Sequence, residues 1–286
     1  MNSFKKLGLV GLITIGVIIS IAYGCGNTGK GNNSVKGEIT IIQDESLPLN
    51  LSIFVDLSDR IEKSKDNMKQ ADKDQLIVNG LAERFVNKQK KEGFQKSEDK
   101  FQVVFYPAPA GAQTLAESLT LDLKSIKGPK KKDLLNFQKN HAENIKKLYD
   151  SALDAQDYFG SDIWGYFAKD KVKDLCKTGY RNVLVIFSDG YLYDANNKVQ
   201  DGNNYSYILP KTLAIQGSGL IPCQISNSDM EVYFIECNAN PQTDYPKMKA
   251  ILEKWFTEMG LTKIDIQDTD LPAVVLQHLD NEIFMN

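Results

Sequence analysis

Three short apolar runs constrain the fold of this chain more than any other feature. They span residues 49–56, 182–188 and 231–237, with the sequences LNLSIFVD, NVLVIFS and EVYFIEC. Continuously apolar strands are typical of parallel sheets, in which helices cover both faces and bury every side chain. The runs therefore predict buried parallel strands at the centre of a sheet.

Segments with the helical spacing of apolar residues alternate with these strands. The clearest is residues 68–91, where Ile77, Leu81 and Phe85 recur on one face. Further helices are predicted at residues 131–156, 162–176, 246–259 and 271–283, and further strands at 37–44, 101–106, 119–126 (antiparallel) and 264–267. This alternation predicts an α/β fold, with a three-layer, Rossmann-like, doubly wound and mostly parallel sheet that carries helices on both faces.

The N-terminus has the pattern of an export signal. Lys5 and Lys6 precede an almost wholly apolar run at residues 7–22, and the small residue Gly24 comes directly before Cys25. A basic region, an apolar region and a small-residue cleavage point define a secretory signal. The apolar run is slightly shorter than the about 20 residues that a transmembrane helix needs. We therefore expect the chain to be exported.

Residues 22–25, with the sequence AYGC, resemble the lipobox of bacterial lipoproteins, although Ala22 and Tyr23 depart from the usual residues. The resemblance implies cleavage by signal peptidase II and a diacylated Cys25, with palmitate among its chains, that anchors the protein to a membrane. Two alternatives stay open: an uncleaved N-terminal anchor, or an ordinary signal in which Cys25 has no role. Gly26, instead of Asp, follows the cysteine, and this resembles lipoproteins of the outer membrane of diderm bacteria.

The sequence divides into three parts. Residues 1–24 are the predicted signal peptide, and residues 25–36, rich in Gly, Asn, Ser and Lys, are a flexible tether. Residues 37–286 contain no internal repeat and no second domain boundary, so they are expected to form one domain.

Charge and cysteine content limit the functional classes further. The net charge of −3 gives no basic footprint, which disfavours nucleic acid as a partner. Besides Cys25 and after the signal, Cys176, Cys223 and Cys237 are too few for a disulfide scaffold. A single Cys223–Cys237 bridge and buried free thiols both agree with the sequence.

Polar clusters follow two of the apolar strands. Residues 56–60, DLSDR, come directly after the first strand, and residues 188–190, SDG, after the central one. In doubly wound sheets, ligands bind at the carboxyl ends of the strands, so the two clusters are expected to be neighbours in one site. Asp56 or Asp189 taken alone would be explained as the cap of a turn or helix.

The order of the elements and three motifs resemble the von Willebrand factor A (vWA) domain family, over about residues 49–283. The motifs are Asp56-x-Ser58-x-Arg60, where the family has Asp-x-Ser-x-Ser, Gly160-Ser161-Asp162, where it has Gly-Thr-Asp or a near variant, and Ser188-Asp189-Gly190, where it has Thr-Asp-Gly. In that family these loops build a metal-ion-dependent adhesion site.

The resemblance implies a ligand set for a divalent cation. Asp56, Ser58, Ser161 and Asp189 would hold Mg²⁺, or else Mn²⁺ or Ca²⁺, with hydroxyl oxygens from the serines and with carboxylates acting directly or through water. Mg²⁺ prefers a near-octahedral set of oxygen ligands and keeps several waters. One coordination position would stay open for a carboxylate of a partner.

Arg60 departs from the family pattern, which has a hydroxyl ligand at this position. A guanidinium does not ligate a cation, and its charge opposes one. Arg60 either turns away and leaves a weak metal site, or replaces the metal by pairing with Asp56 or Asp189. Asp59 is a further candidate partner that would keep Arg60 off the site.

The sequence thus predicts a lipid-anchored, vWA-like domain of the cell envelope that binds a protein or other macromolecular partner through a degenerate adhesion site. It is expected not to be an enzyme, because no HExxH, CxxC, GxSxG or P-loop motif occurs and His141 and His278 are far from the motifs. The alternatives are an Mg²⁺-dependent phosphate-ester hydrolase, with Asp56 and Asp189 holding the metal, and a structural lipoprotein whose site is closed by Arg60.

Overall fold

The computed structural model describes residues 47–65, 68–109, 112, 114–154, 161–169, 171–190, 200–201, 204–205, 221, 223–225, 230–237, 245–268 and 270–285. The predicted signal peptide, Cys25, the tether and the strand at 37–44 lie outside these residues and stay predictions. Glu45–Asn286 form one compact unit. Within the described ranges, no helix combines the length and the apolarity that crossing a bilayer requires.

In the part of the chain that the structure describes, six strands form the main sheet: β1 (Leu49–Val55), β4 (Lys100–Val104), β5 (Thr120–Asp122), β6 (Arg181–Phe187), β9 (Met230–Cys237) and β10 (Lys263–Asp268). Two short antiparallel pairs stand apart from it, β2 (Ser64–Lys65) with β3 (Met68–Lys69), and β7 (Gln200–Asp201) with β8 (Asn204–Tyr205). The α-helices are α1 (Gln70–Glu92), α2 (Leu115–Ser118), α3 (Lys131–Asp154), α4 (Ile163–Ala168), α5 (Tyr245–Glu258) and α6 (Pro272–Ile283).

The strand order of the main sheet is β5-β4-β1-β6-β9-β10. All neighbouring strands are parallel except β5, which pairs antiparallel with β4 at one edge. Counted along the chain, these six strands have the order 3-2-1-4-5-6, which is typical of doubly wound sheets. The order reverses between β1 and β6, so their carboxyl ends form the crevice where such sheets bind ligands.

Alternate side chains of the strands pack on opposite faces of the sheet. On β1, Leu51, Ile53 and Val55 belong to the core that α1, α3 and α6 cover, whereas Phe54 belongs to the core that α4 and α5 cover. The side chains at 183–187 on β6 alternate in the same way and are all buried. The predicted three-layer α/β fold, with a central parallel strand buried on both faces, is confirmed.

The predicted helix at residues 162–176 is wrong as a single element. The structure has the short helix α4, followed by a separate 3₁₀ helix at Lys171–Leu175. A 3₁₀ helix has three residues per turn, so Val172 and Leu175 lie on the same side, and both are buried in the core beside α4. The apolar spacing that indicated one long helix therefore comes from two short ones.

Candidate functional site

The carboxyl ends of β1 and β6 are joined by side-chain hydrogen bonds. Asp56 is the first residue after β1, and its N–H donates to the carbonyl of Phe187 at 3.0 Å. The Asp56 carboxylate is buried. Its Oδ2 accepts a hydrogen bond from Ser188 Oγ at 2.7 Å, and its Oδ1 accepts one from the N–H of Ser58 at 2.9 Å. The two polar clusters are therefore neighbours, as the strand pattern predicts.

Asp189 directly follows Ser188 at this junction and is buried. It is 8% exposed, and its Oδ2 lies 3.3 Å from Nζ of Lys63, whose side chain is 57% exposed. Because the lysine lies in water, the ion pair contributes roughly 0–1 kcal/mol. The next residue, Gly190, has a φ of 93°, and a Cβ there would stand 3.0 Å from Met248 Cγ and 3.1 Å from Cys237 Sγ. The turn that positions Asp189 therefore requires glycine.

Cys237 packs behind the same turn as a free thiol. Its Sγ lies 3.9 Å from the carbonyl oxygen of Asp189. Burial, together with the negative charge of Asp189, raises the pKa of Cys237 to about 12, so the thiol stays protonated. Cys176 and Cys223 are half-buried and form no disulfide within the described residues. The Cys223–Cys237 bridge is therefore not formed in the structure, and Cys237 is a buried thiol.

Ser161 begins the segment that leads into α4. The N–H of Asp162 donates to the carbonyl of Tyr106 at 3.0 Å, which places this segment beside the carboxyl end of β4. Asp162 caps α4 by accepting a hydrogen bond from the N–H of Gly165 at 2.6 Å. Ser161 is 5% exposed, and its hydroxyl makes no hydrogen bond in the described part of the chain. Ser161 thus reaches the same edge of the sheet as Asp56 without bonding to it.

Arg60 lies inside the protein, on a 3₁₀ helix at Asp59–Glu62, and is 2% exposed. Its Nη2 donates to Asp74 Oδ2 at 2.5 Å and to the Phe187 carbonyl at 3.2 Å. Its Nε donates to the Asp56 carbonyl at 3.1 Å and lies 3.8 Å from Asp56 Oδ2. Burial opposes the charge, but the carboxylates of Asp74 and Asp56 outweigh it and raise the pKa of Arg60. The guanidinium is therefore a permanent positive charge beside Asp56.

The shortest ion pair of Arg60 is with a residue that sequence analysis did not name. Asp74 on α1 holds the guanidinium, and Asp56 is its second carboxylate. Asp59 is exposed and is not among the groups that Arg60 contacts, so the hypothesis that Asp59 partners Arg60 is wrong. The 3₁₀ turn buries Arg60 and leaves its neighbour Asp59 in water.

Asp74 is fully buried and accepts three hydrogen bonds. Besides Arg60, Gln70 Nε2 donates to Oδ1 at 2.8 Å, and Tyr149 Oη donates to Oδ2 at 3.0 Å. Burial raises the pKa of Asp74, while the charge of Arg60 and the hydrogen bond from Gln70 act in the opposite direction. Burial also raises the pKa of Tyr149 well above its ordinary value, so the phenol remains a donor. Because an arginine stays protonated, Asp74 serves as its ionised partner.

Glu236, near the end of β9, extends this set of buried charges. Its Oε2 accepts a hydrogen bond from Gln70 Nε2 at 3.1 Å and lies 3.3 Å from Nζ of Lys73. Glu236 has a φ of 62°, which is uncommon for a residue other than glycine. We call the following residues the buried ion network: Asp56, Arg60, Gln70, Lys73, Asp74, Tyr149 and Glu236. It contains three carboxylates and two cations, which leaves one excess negative charge.

The predicted ligand set fits a hard divalent cation in its donor chemistry. Ser58 and Ser161 carry hydroxyl oxygens, and a buried hydroxyl without a partner, as at Ser161, is rare in proteins. Asp189 and Asp56 add two buried carboxylates. The charge of Arg60 close to Asp56 weakens the attraction of this set for a cation. Within the described residues, no three His, Cys, Asp or Glu side chains are grouped as a metal site would need.

The residues that sequence analysis missed are mainly on α1. Asp74 stands four residues before Val78 and seven before Leu81, on the apolar face of the helix. A carboxylate at a core-facing helical position is a signal of a buried partner, because an unpaired buried charge is costly. The position of Asp74 could therefore have been recognised from the sequence. Tyr149 on α3 shows no such pattern, so its role could not.

Comparisons with known proteins add little to this geometry. No protein-family model matches the chain, and no curated protein matches it. Two solved structures of the pilus adhesin SpaC from Lactobacillus rhamnosus GG, one of them in an open conformation, are similar to it with 14% and 15% sequence identity and TM-scores of 0.42 and 0.43. Each match covers 84% of this chain and 30% of the adhesin chain, so this chain spans less than a third of the adhesin. A likeness of this size carries no inference about function.

Proposed function

We propose that the chain is a lipid-anchored, vWA-like binding domain of the cell envelope that captures a protein partner at the junction of β1 and β6. The observation that carries the proposal is the hydrogen bond of 2.7 Å between Ser188 Oγ and Asp56 Oδ2. It joins two of the three motifs on which the resemblance to the vWA family rests. The junction is also the topological switch point of the sheet, where doubly wound folds bind ligands.

Binding is favoured over catalysis because neither imidazole, as the structure describes them, lies where it could act as a base at this site. The Nδ1 atom of His141 lies 2.9 Å from Asn79 Oδ1, and Nε2 of His278 lies 2.5 Å from Asp265 Oδ2. Neither imidazole contacts Asp56 or Asp189 in the described part of the chain. A nucleophilic serine at this junction would need such a base within hydrogen-bond reach.

A divalent cation is part of the proposal. Ser58, Ser161 and Asp189 would hold it, with Asp56 acting through water. When bound, the cation would supply an open coordination position that a carboxylate of the partner fills. The chain itself positions the proposed ligands. The buried ion network holds the backbone at the end of β1, and Gly190 forms the turn that presents Asp189.

Thermal melts of the full-length chain in detergent test the metal. If the site has a Kd of about 1 mM, a cation concentration about ten times the Kd raises the free energy of unfolding by roughly 1.4 kcal/mol. For a domain of this size, the melting temperature then rises by about 3–6 °C. We expect this rise with Mg²⁺ or Mn²⁺ over chelator in the wild type, and no rise in Asp189→Asn. Asp59→Asn is the matched control, because Asp59 is exposed and close in sequence; it should keep the rise.

Capture of a partner tests the function itself. Cross-linking in the native envelope should recover a protein with the wild type and with Asp59→Asn, and not with Asp189→Asn. If Asp189→Asn recovers the same protein equally well, the site does not bind it and the proposal fails. If Mg²⁺ raises no melting temperature but capture depends on Asp189, the cation is removed from the proposal and the site stands.

The lipid anchor is tested on the same preparations. Cys25→Ala should remove the acyl chains and either release the protein from membranes or leave its signal uncleaved. The intact mass of the mature protein decides this, and a mature N-terminus other than Cys25, or one without lipid, contradicts the anchor.

A further inference from the structure

A lysine of the chain reaches the proposed cation site from solvent. Nζ of Lys63 lies 3.3 Å from Oδ2 of Asp189, one of the residues proposed to hold the cation. The Lys63 side chain is exposed, whereas the Asp189 carboxylate is buried. Asp189 therefore offers little open surface, and the ammonium group of Lys63 covers part of it.

The backbone of Lys63 is held in place on both sides. Its N–H donates to the carbonyl of Arg60 at 3.1 Å, at the end of the 3₁₀ helix, and its carbonyl accepts a hydrogen bond from the N–H of Gln70 at 2.8 Å. Arg60 and Gln70 both belong to the buried ion network. Lys63 is thus fixed beside the site, and its ammonium group is tethered there by a flexible four-carbon side chain. The local concentration of a group on such a short flexible link is on the order of millimolar.

A second lysine–carboxylate pair of the chain shows why the first one is easy to break. Nζ of Lys73 lies 3.3 Å from Oε2 of Glu236, the same distance as in the pair of Lys63 with Asp189. The Lys73 side chain is only 5% exposed, against 57% for Lys63. If Lys73 leaves its carboxylate, a buried charge loses a partner, which is costly. If Lys63 leaves, its ammonium group returns to water, so this pair opens at little cost.

An ammonium group and a divalent cation oppose each other at Asp189. Both are attracted to the same carboxylate, and they repel each other when they stand side by side. Because the carboxylate has little open surface, they also compete for the same space. A divalent cation that binds Asp189 therefore has to displace Lys63.

We propose that Lys63 competes with the divalent cation for Asp189 and sets how tightly the site binds it. The inference rests on the proposed function and names the residue that tunes its cation site. An exposed ion pair of this kind shifts a binding equilibrium by up to about fivefold. Repulsion from the displaced but nearby ammonium group adds about twofold at physiological salt. Lys63 therefore weakens cation binding by about 3- to 10-fold.

Binding of Mn²⁺ to the full-length chain in detergent tests the proposal. Electron paramagnetic resonance of the free ion measures binding directly, whatever the variant does to thermal stability. Lys63→Met keeps most of the side chain and removes its charge, so it should lower the Kd for Mn²⁺ by about 3- to 10-fold. Lys63→Arg keeps the charge in a group that pairs more strongly with carboxylates, so its Kd should equal or exceed that of the wild type.

Lys69→Met is the matched control. Lys69 is exposed, and on β3 it pairs with Ser64, the residue after Lys63. The change removes the same charge from the same short antiparallel pair and should alter the Kd by less than about twofold, because the contact with Asp189 is kept. In a second control, Lys63→Met added to Asp189→Asn should bring no gain in Mn²⁺ affinity, because the shared carboxylate is gone.

Equal Kd values for the wild type and Lys63→Met would overturn the proposal, as would an equal gain in Lys69→Met or a gain that persists without the Asp189 carboxylate. Mn²⁺ binding that is detectable only in Lys63→Met would support it, since the lysine then masks the site in the wild type. No binding in any of the proteins would refute both this proposal and the cation.

Partner capture separates this proposal from the function on which it rests. Tighter Mn²⁺ binding in Lys63→Met, together with failure of partner capture in every protein, would support the role of Lys63 and refute the function. Capture that depends on Asp189, together with a Kd that Lys63→Met leaves unchanged, would refute the role of Lys63 alone.

Discussion

Removal of the Asp74 carboxylate is expected to be the most damaging single change near the site. Asp74 is fully buried and accepts hydrogen bonds from Arg60, Gln70 and Tyr149. In Asp74→Ala the guanidinium stays buried and charged, and its nearest remaining carboxylate among the described residues is that of Asp56, 3.8 Å away. Breaking a buried ion pair by removing one partner costs about 3–5 kcal/mol.

That cost is a large share of the roughly 5–15 kcal/mol that stabilises a folded protein. For a domain of this size it lowers the melting temperature by roughly 6–20 °C. Thermal melts followed by circular dichroism measure it. Asp72→Ala is the matched control, since Asp72 is exposed on the same helix, two residues earlier. This variant should lower the free energy of unfolding by no more than about 1 kcal/mol.

A double-mutant cycle checks the physical reason. If the destabilisation comes from an uncompensated charge, the double variant Arg60→Met with Asp74→Leu should lose clearly less stability than the two single variants added together. The reason is that the double variant removes both charges at once. Additivity within about 0.5 kcal/mol, or an Asp74→Ala protein that melts like Asp72→Ala, would refute the reasoning.

Two further predictions concern residues outside the network. Burial lowers the pKa of His141 to about 4, below its value of about 6.5 in an unfolded chain, so the unfolded state binds the extra proton and stability falls as the pH drops from about 6.5 to 4. At pH 5 the free energy of unfolding, measured with urea, should be about 2 kcal/mol lower than above pH 6.5, and His141→Phe should abolish this part of the pH dependence. If stability depends on pH equally in His141→Phe, His141 is not its cause. Gly190→Ala places a Cβ against Met248 and Cys237 at positive φ, so it should cost about 1–3 kcal/mol and weaken partner capture, whereas full stability would show that the turn adapts.

The sequence was sufficient to predict the sheet and most of its helices. The apolar runs at 182–188 and 231–237 correspond to β6 and β9, and the alternating segment at 119–126 contains the antiparallel strand β5. The helix predicted at 246–259 corresponds to α5, and Gly260, with a φ of 97°, lies two residues beyond its end. These elements were predictable because burial on two faces and turn geometry each restrict residue types locally.

The interior of the candidate site was less predictable. The neighbours Asp56 and Ser188 followed from the rule that strand ends share an edge, but the partner of Arg60 did not. A guanidinium reaches several carboxylates, and the choice of Asp74 over Asp59 depends on which side of a 3₁₀ turn faces the core. Packing between α1 and the sheet determines which carboxylate pairs with Arg60. The residues next to Arg60 in the sequence do not indicate it.

The position of β1 has a mechanical consequence. β1 begins at Leu49, and Asp56 follows the opposite end of the strand, roughly 20 Å away. Under the proposed function, with an anchor on the N-terminal side of β1 and a partner at its carboxyl end, a pull on the partner would apply tension along β1. This strand is paired with β6 from Leu49 to Val55 and with β4 on its other side. Such tension would shear both ladders of hydrogen bonds together and would not open them one at a time, so the proposed anchor and partner would load a strand that is paired on both sides.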